Sequence, residues 1–148
     1  MRTGITIEDL DGFLDEPMVA VLATIRSDGS VLLSPVWHEW RDGGFNVWVG
    51  GKDVKAEHLR RDPRATIVVA ESRPPLRGVE VRTEAQLIRE DAVATAIRIG
   101  GRYIGQERAD SYVRSFSDDQ LTVRLLPGAL RVWDFADEYG RGQFVDPT

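Results

Sequence analysis

Leu22-Ala23-Thr24-Ile25-Arg26-Ser27-Asp28-Gly29-Ser30 runs from an apolar, β-branched stretch into a cluster of turn formers. Met18 to Ile25 reads as a buried strand, Ser27-Asp28-Gly29-Ser30 as a tight turn, and Val31 to Trp40 as the returning strand. Asp42-Gly43-Gly44 makes the next turn and leads to Phe45-Asn46-Val47-Trp48-Val49, so three strands in succession predict an antiparallel meander.

Outward from this core the pattern stays strand-rich. Upstream, Thr6 is a good N-cap, and Ile7, Leu10 and Leu14 at helical spacing predict a short opening helix stopped by Pro17. Downstream, Val54 to Arg61 reads as a helix ended by Asp62-Pro63, because the residue before proline avoids the α region. Ala65 to Ala70 is a strand, Glu71 to Gly78 a loop, and Val79 to Ile88 one long fifth strand with imperfect alternation. Asp91 to Ile99 and Ala109 to Phe116 are predicted helices, separated by Gly100-Gly101 and Gly105. Leu121 to Leu126 and Leu130 to Phe135 close the chain as strands around Pro127-Gly128, with the tail after Tyr139 as loop. This order predicts a mainly β fold, a small antiparallel barrel with peripheral helices, over a parallel α/β sheet.

A length of 148 residues suits a single domain over 1–148, large enough to bury about 68–70% of the unfolded chain's surface. Cysteine is absent, which excludes disulfides, thiol nucleophiles and thiolate metal sites and suits a reducing compartment. Two histidines, His38 and His58, are too few for a multi-histidine zinc site. A formal charge of -5 argues against nonspecific nucleic-acid binding, which depends on excess cations. No apolar run has the length of a membrane span and the N-terminus has no apolar signal core, so a soluble cytoplasmic protein is expected.

The cations are unevenly distributed. Seventeen arginines accompany only two lysines, and both lysines lie in Gly50-Gly51-Lys52-Asp53-Val54-Lys55. A glycine pair after an alternating apolar run, then two ammonium groups and a helix start, is a seat for a phosphate. The alternative is two ordinary surface lysines in an arginine-biased chain.

No Gly-x-Ser-x-Gly elbow is present, so nucleophilic catalysis lacks an agent. Ser34 and His38, four apart on a strand, are too distant for a hydrogen bond. His58 reads as a solvated helix residue and His38 as a partly buried strand residue between Trp37 and Trp40. With no catalytic residue and no metal site, the pattern suits a cofactor enzyme whose protein supplies grip, orientation and a dry wall.

Four segments, in order, resemble the split β-barrel flavin and deazaflavin oxidoreductases related to pyridoxamine 5'-phosphate oxidase. They are Leu22 to Ser30, Leu33-Ser34-Pro35-Val36-Trp37, Lys55-Ala56-Glu57-His58-Leu59-Arg60-Arg61-Asp62-Pro63-Arg64, and Gly78-Val79-Glu80-Val81-Arg82-Thr83-Glu84-Ala85. The likeness runs from about Ile5 to Trp133, and Ser34-Pro35-Val36-Trp37 is closest to the branch that uses the deazaflavin F420. The resemblance implies a six-stranded antiparallel split β-barrel of the FMN-binding type, and a homodimer that reduces an electron-poor small molecule. F420 is the expected cofactor, with FMN as the alternative and a non-catalytic flavin or deazaflavin carrier as the third reading.

The same resemblance implies site roles. Ser34, Pro35, Val36 and Trp37 lie along the ring, although Trp37 is equally well read as core packing. Leu33, Pro35 and Trp37 share one face by alternation, and Ser34, Val36 and His38 the other. Lys55 takes the phosphate, with Gly50, Gly51, Lys52 and Val54 around it. Arg60, with Arg64 four residues on, extends the basic strip, Arg61 has an ordinary helix-end role, and Trp133 reaches the cofactor from the partner subunit. Around Arg141 the substrate-binding Arg and His motif of the pyridoxamine phosphate oxidases is not recognisable, which argues against that reaction.

Overall fold

A computed structural model of the chain describes residues 1–138; the departure around Arg141 and the tail lie outside the described residues. Among the described residues, nine strands form two antiparallel sheets. β1 (Ala20–Ile25), β2 (Val31–Val36), β5 (Arg64–Ala70), β6 (Gly78–Glu84) and β9 (Ala129–Trp133) make a five-stranded sheet in the order β2-β1-β5-β6-β9. β3 (His38–Arg41), β4 (Gly44–Gly50), β7 (Gln86–Ile88) and β8 (Gln120–Leu125) make a four-stranded sheet in the order β3-β4-β8-β7. The helices α1 (Val54–Arg61), α2 (Ala92–Ile104), α3 (Gln106–Arg114) and the short α4 (Ala136–Glu138) lie outside the sheets. This is the mainly β, antiparallel split-barrel architecture with peripheral helices expected from the sequence, but in nine strands rather than six and as two sheets that do not close on each other, because two of the expected strands divide between the sheets.

One apolar core joins the two sheets: Ala20, Leu22, Ile67, Val79 and Val81 from the first meet Phe45, Val47, Val123 and Leu125 from the second. The alternation along β1 and β5 puts every second residue inward, so burial of these side chains sets the register. Each fully buried Val, Leu, Ile or Phe contributes about 1.5–3 kcal/mol.

Four expectations need correction, and each has a local cause. The strand expected from Val31 to Trp40 is two strands, because β2 pairs with β1 and β3 with β4 in the other sheet, so the chain crosses between sheets at Trp37. For the same reason the strand expected from Val79 to Ile88 divides at Ala85, β6 pairing with β5 and β7 with β8. The opening helix is two 3-10 turns, Glu8–Leu10 and Phe13–Asp15. Asp11 and Gly12 between them take left-handed backbone angles of 50° and 77°, which no continuous α-helix contains. The Thr6 side chain still accepts from the Asp9 N–H.

Gly100-Gly101 does not end a helix, since α2 runs on to Ile104. The missing side chains let α3 approach: a Cβ on Gly100 would stand 3.1 Å from that of Ala109, and one on Gly101 would stand 2.3 Å from Gln106 Oε1. Gly105, with φ 86°, makes the turn between the two helices.

Candidate functional site

A cavity of about 520 Å³ opens where the end of β2, the β4–α1 turn and the end of α3 converge. Its apolar wall is Val19, Pro35, Val36, Trp37, Trp48, Val49, Tyr112 and Phe116, and its polar end is Gly50, Gly51, Lys52, Asp53, Lys55, Ser117, Asp119 and Gln120. An apolar pocket of this size with a few convergent polar groups is the usual form of a small-molecule site.

Trp37 sits at the crossover between the sheets and is held flat. Its ring stacks on Tyr103 at 4.9 Å and 7°, with Gly100 close behind it. Core packing and cavity lining therefore occur in the same side chain. Inward-outward alternation holds through Val36, which is buried while Leu33 and Pro35 are exposed, and is reset at Trp37. Opposite, Trp48, Tyr112 and Phe116 form an edge-to-face cluster with centroids 5.1–5.9 Å apart. Tyr112 is 46% and Phe116 47% exposed, an unusual exposure for two large rings one helical turn apart.

At the polar end, Asp53 caps α1 by accepting from the Lys55 N–H at 2.9 Å. The same carboxylate holds Lys55 Nζ at 3.0 Å. Gly51 donates to the Asp119 carbonyl at 2.8 Å, and Asp53 N–H to the Gly50 carbonyl at 3.0 Å, so the turn is closed by its own backbone. A Cβ at 51 would lie 2.0 Å from Asp119 Oδ1, so a side chain there would have to displace that carboxylate. At Gly50 a Cβ would meet nothing within 4 Å, so a ligand can approach the backbone there. Arg89 binds the Asp119 carboxylate at 2.8 Å and, with Lys52 and Arg60 nearby, holds it below the usual carboxylate range.

Of the residues expected at the site, Pro35, Val36, Trp37, Gly50, Gly51, Lys52 and Lys55 line this one cavity. Ser34, Val54, Arg60 and Trp133 are not among its lining residues. Arg60 donates to the Gly51 carbonyl at 2.9 Å from behind the turn, and Trp133 lies on β9 under the Arg131 guanidinium. Arg64 is not on the helix with Arg60; it opens β5 and pairs with Asp62 at 2.7 Å, so four-residue spacing does not align the two. Arg61 donates to the Ile25 carbonyl. His58 is buried, not solvated, with Nδ1 2.9 Å from Thr24 Oγ1, because α1 lays that face on β1. His38 is fully buried and packs edge-on to Phe45; desolvation, then Arg102, lowers its pKa to about 4.

Sequence reasoning missed Val19, Trp48, Val49, Asp53, Tyr112, Phe116, Ser117, Asp119 and Gln120 as lining residues. The i, i+4 aromatic pair at 112 and 116 was the available signal, since a helix ending in two rings needs a reason for both. Asp119 and Gln120 reach the turn only through the β4–β8 register, in which Gly50 faces Gln120.

The site thus joins a flat apolar wall to a lysine-bearing turn. A family model described as pyridoxamine 5'-phosphate oxidase matches residues 6–126. Among solved structures, a conserved hypothetical protein from Mycobacterium tuberculosis superposes with a TM-score of 0.79 at 24% identity, covering 99% of this chain and 92% of that one. An F420 reductase matches with a TM-score of 0.66 at 22% identity over 81% of this chain and 94% of its own. HutZ, a heme storage protein from Vibrio cholerae, matches with a TM-score of 0.66 at 19% identity over 84% and 92%. No curated protein sequence matches. Among the described residues no helix is long and apolar enough to cross a membrane.

Proposed function

This chain belongs to the pyridoxamine 5'-phosphate oxidase family, and on that premise we propose that it is an F420-dependent oxidoreductase acting on an electron-poor small molecule in the cytoplasm. The observation that carries the reading is the single cavity uniting the Pro35-Val36-Trp37 edge with the Gly50 to Lys55 turn. When bound, the deazaflavin supplies the hydride chemistry. The protein does the rest by position. Pro35 has no N–H, so the strand edge offers one donor fewer there, and Trp37, fixed by Tyr103, forms a rigid wall. Lys52 and Lys55 hold the phosphate, and the backbone at Gly50 admits its close approach.

The titratable groups lining the cavity are Lys52, Asp53, Lys55, Tyr112 and Asp119, none paired with a nucleophile, in keeping with an enzyme whose reactive group is its cofactor. Val19, Val31 and Leu33 expose an apolar strip on the outer face of β1 and β2, and Val19 and Pro35 bring the cavity to its margin. A second copy on this face would cover the strip and carry its own Trp133 toward the site, which is the role we propose for that residue.

FMN is the runner-up cofactor, and the likeness to a heme storage protein favours a binding-only role as the third reading. Titration of apo protein with F420 and FMN side by side separates the first two. F420 should bind more tightly at low salt, and part of that preference should fade as salt rises, because contacts to an oligoglutamate tail are exposed and screened. Tighter FMN binding across the whole salt range, or FMN retained at full occupancy through purification, overturns the F420 assignment. Anaerobic mixing of the reduced cofactor complex with quinone and tetrapyrrole acceptors then tests enzyme against carrier, and no oxidation with any acceptor supports the carrier.

A further inference from the structure

Two carboxylates stand among the groups that would receive the phosphate. Asp53 already holds Lys55 at 3.0 Å, and Asp119 packs its carboxylate against the Cα of Gly51, in the space a side chain would fill. The charged side chains lining this end are Lys52, Lys55, Asp53 and Asp119, so two negative charges oppose two positive ones. Arg89 from beyond β7 and Arg60 from α1 also face Asp119, but they line a separate hollow on the far side of the turn. The carboxylate is held in that place by its pair with Arg89 at 2.8 Å, and the backbone behind it is tied to the turn by the 2.8 Å bond from the Gly51 N–H to the Asp119 carbonyl. The carboxylate is thus a fixed part of the anion seat.

We propose that Asp119 is a specificity-determining residue that makes this seat discriminate by phosphate charge, accepting a singly charged phosphodiester and resisting a doubly charged phosphate monoester. The proposal rests on the cofactor reading above and gives it a residue. A phosphate monoester carries about −1.5 to −2 charges near pH 7, whereas a diester carries one. At about 6 Å and an effective dielectric of about 20, an added unit charge changes affinity by up to about a hundredfold. Solvent and the Arg89 counter-charge reduce this to about threefold per unit of ligand charge, hence about tenfold for the doubly charged monoester and about threefold for the diester. Asp53 is the other carboxylate at this end, but it also holds Lys55 and caps α1, so changing it would disturb the lysine and the helix start together.

The test uses three ligands, riboflavin, FMN and F420, titrated into apo wild-type protein and two variants by fluorescence at one pH and salt. The ratio of riboflavin to FMN dissociation constants isolates what the monoester contributes. Asp119→Asn keeps the shape packed on Gly51 and removes the charge, so the ratio should rise about tenfold while F420 affinity changes by about threefold or less. Arg89→Gln leaves the carboxylate unbalanced, so the ratio should fall. The opposite signs exclude a general loosening of the turn, and a thermal melt of each variant confirms folding. Binding of FMN and F420 with the ratio unchanged in both variants, or with F420 gaining as much as FMN in Asp119→Asn, overturns the role of Asp119 and leaves the cofactor reading standing. If wild type and both variants bind none of the three ligands, the cofactor reading fails and takes this inference with it.

Discussion

Replacing Lys55 by Ala is the most direct perturbation of the proposed phosphate seat. Its ammonium lies 3.0 Å from Asp53 Oδ1, and the side chain is only 18% exposed. A charge-assisted hydrogen bond to a phosphate contributes about 1.5–3 kcal/mol. Because the ammonium must be shared with Asp53, the lower end of that range applies, which corresponds to about tenfold in affinity. The fold should hardly notice. The cap on α1 uses the backbone N–H of residue 55, which alanine keeps, and a partly exposed ion pair contributes about 0–1 kcal/mol. Fluorescence titration with F420 and with FMN, alongside a thermal melt, reads both quantities. Affinity weakened by at least about tenfold with a near-normal melting temperature supports the assignment. Unchanged affinity in a normally folded variant would show that the phosphate lies elsewhere. Lys52→Ala should have a smaller effect, its side chain being exposed.

Other expectations concern assembly and the buried charges. Sedimentation at micromolar concentration should give a dimer, since Val19, Val31 and Leu33, the last 65% exposed, would otherwise leave an apolar strip in water; a monomer refutes this. His38 is neutral in the fold, with desolvation depressing its pKa to about 4 from 6.5. The unfolded chain therefore binds the extra proton between those values, and stability is complete above about pH 6.5 and declines by up to ~3 kcal/mol as pH falls toward 4. Urea unfolding of wild type and His38→Gln at pH 7 and 4.5 should show this part of the decline missing in the variant. Arg98→Ala strands Glu39, which is 5% exposed and bound by Arg98 Nε at 2.7 Å. Burial raises the Glu39 pKa, but the bonds from Arg98 and Asn46 outweigh it and leave it lowered. The variant should lose about 3 kcal/mol at neutral pH, and the wild-type advantage should disappear as pH falls through that depressed value. Equal urea midpoints at pH 7 would refute it.

Local chemistry carried much of this protein into its sequence. The turn at Ser27 to Ser30, the stop at Asp62-Pro63 and the alternation of β1 and β5 are short-range steric and burial effects, and so legible from neighbours alone. Part of the cavity wall was legible for the same reason: Pro35 to Trp37 and most of Gly50 to Lys55 line it as contiguous runs. Whether an extended run stays in one sheet is a different matter. Val31 to Trp40 and Val79 to Ile88 each look continuous, because a strand changing partners keeps the same φ, ψ and side-chain preferences; only the competing partners, β1 against β4 and β5 against β8, divide them at Trp37 and Ala85. Gly100-Gly101 reads as a breaker until α3 is laid against it, where glycine is what close packing requires. The rest of the cavity belongs to this long-range class. Tyr112, Phe116 and Asp119 lie about sixty positions beyond the turn they face; Asp119 arrives because β8 pairs with β4, and the two rings because they pack on Trp48. Sequence carried the apolar run at 35–37 and the lysine-bearing turn at 50–55, since these follow from side-chain chemistry. Tertiary structure decided which carboxylates stand beside the lysines, since charge acts through space and not along the chain.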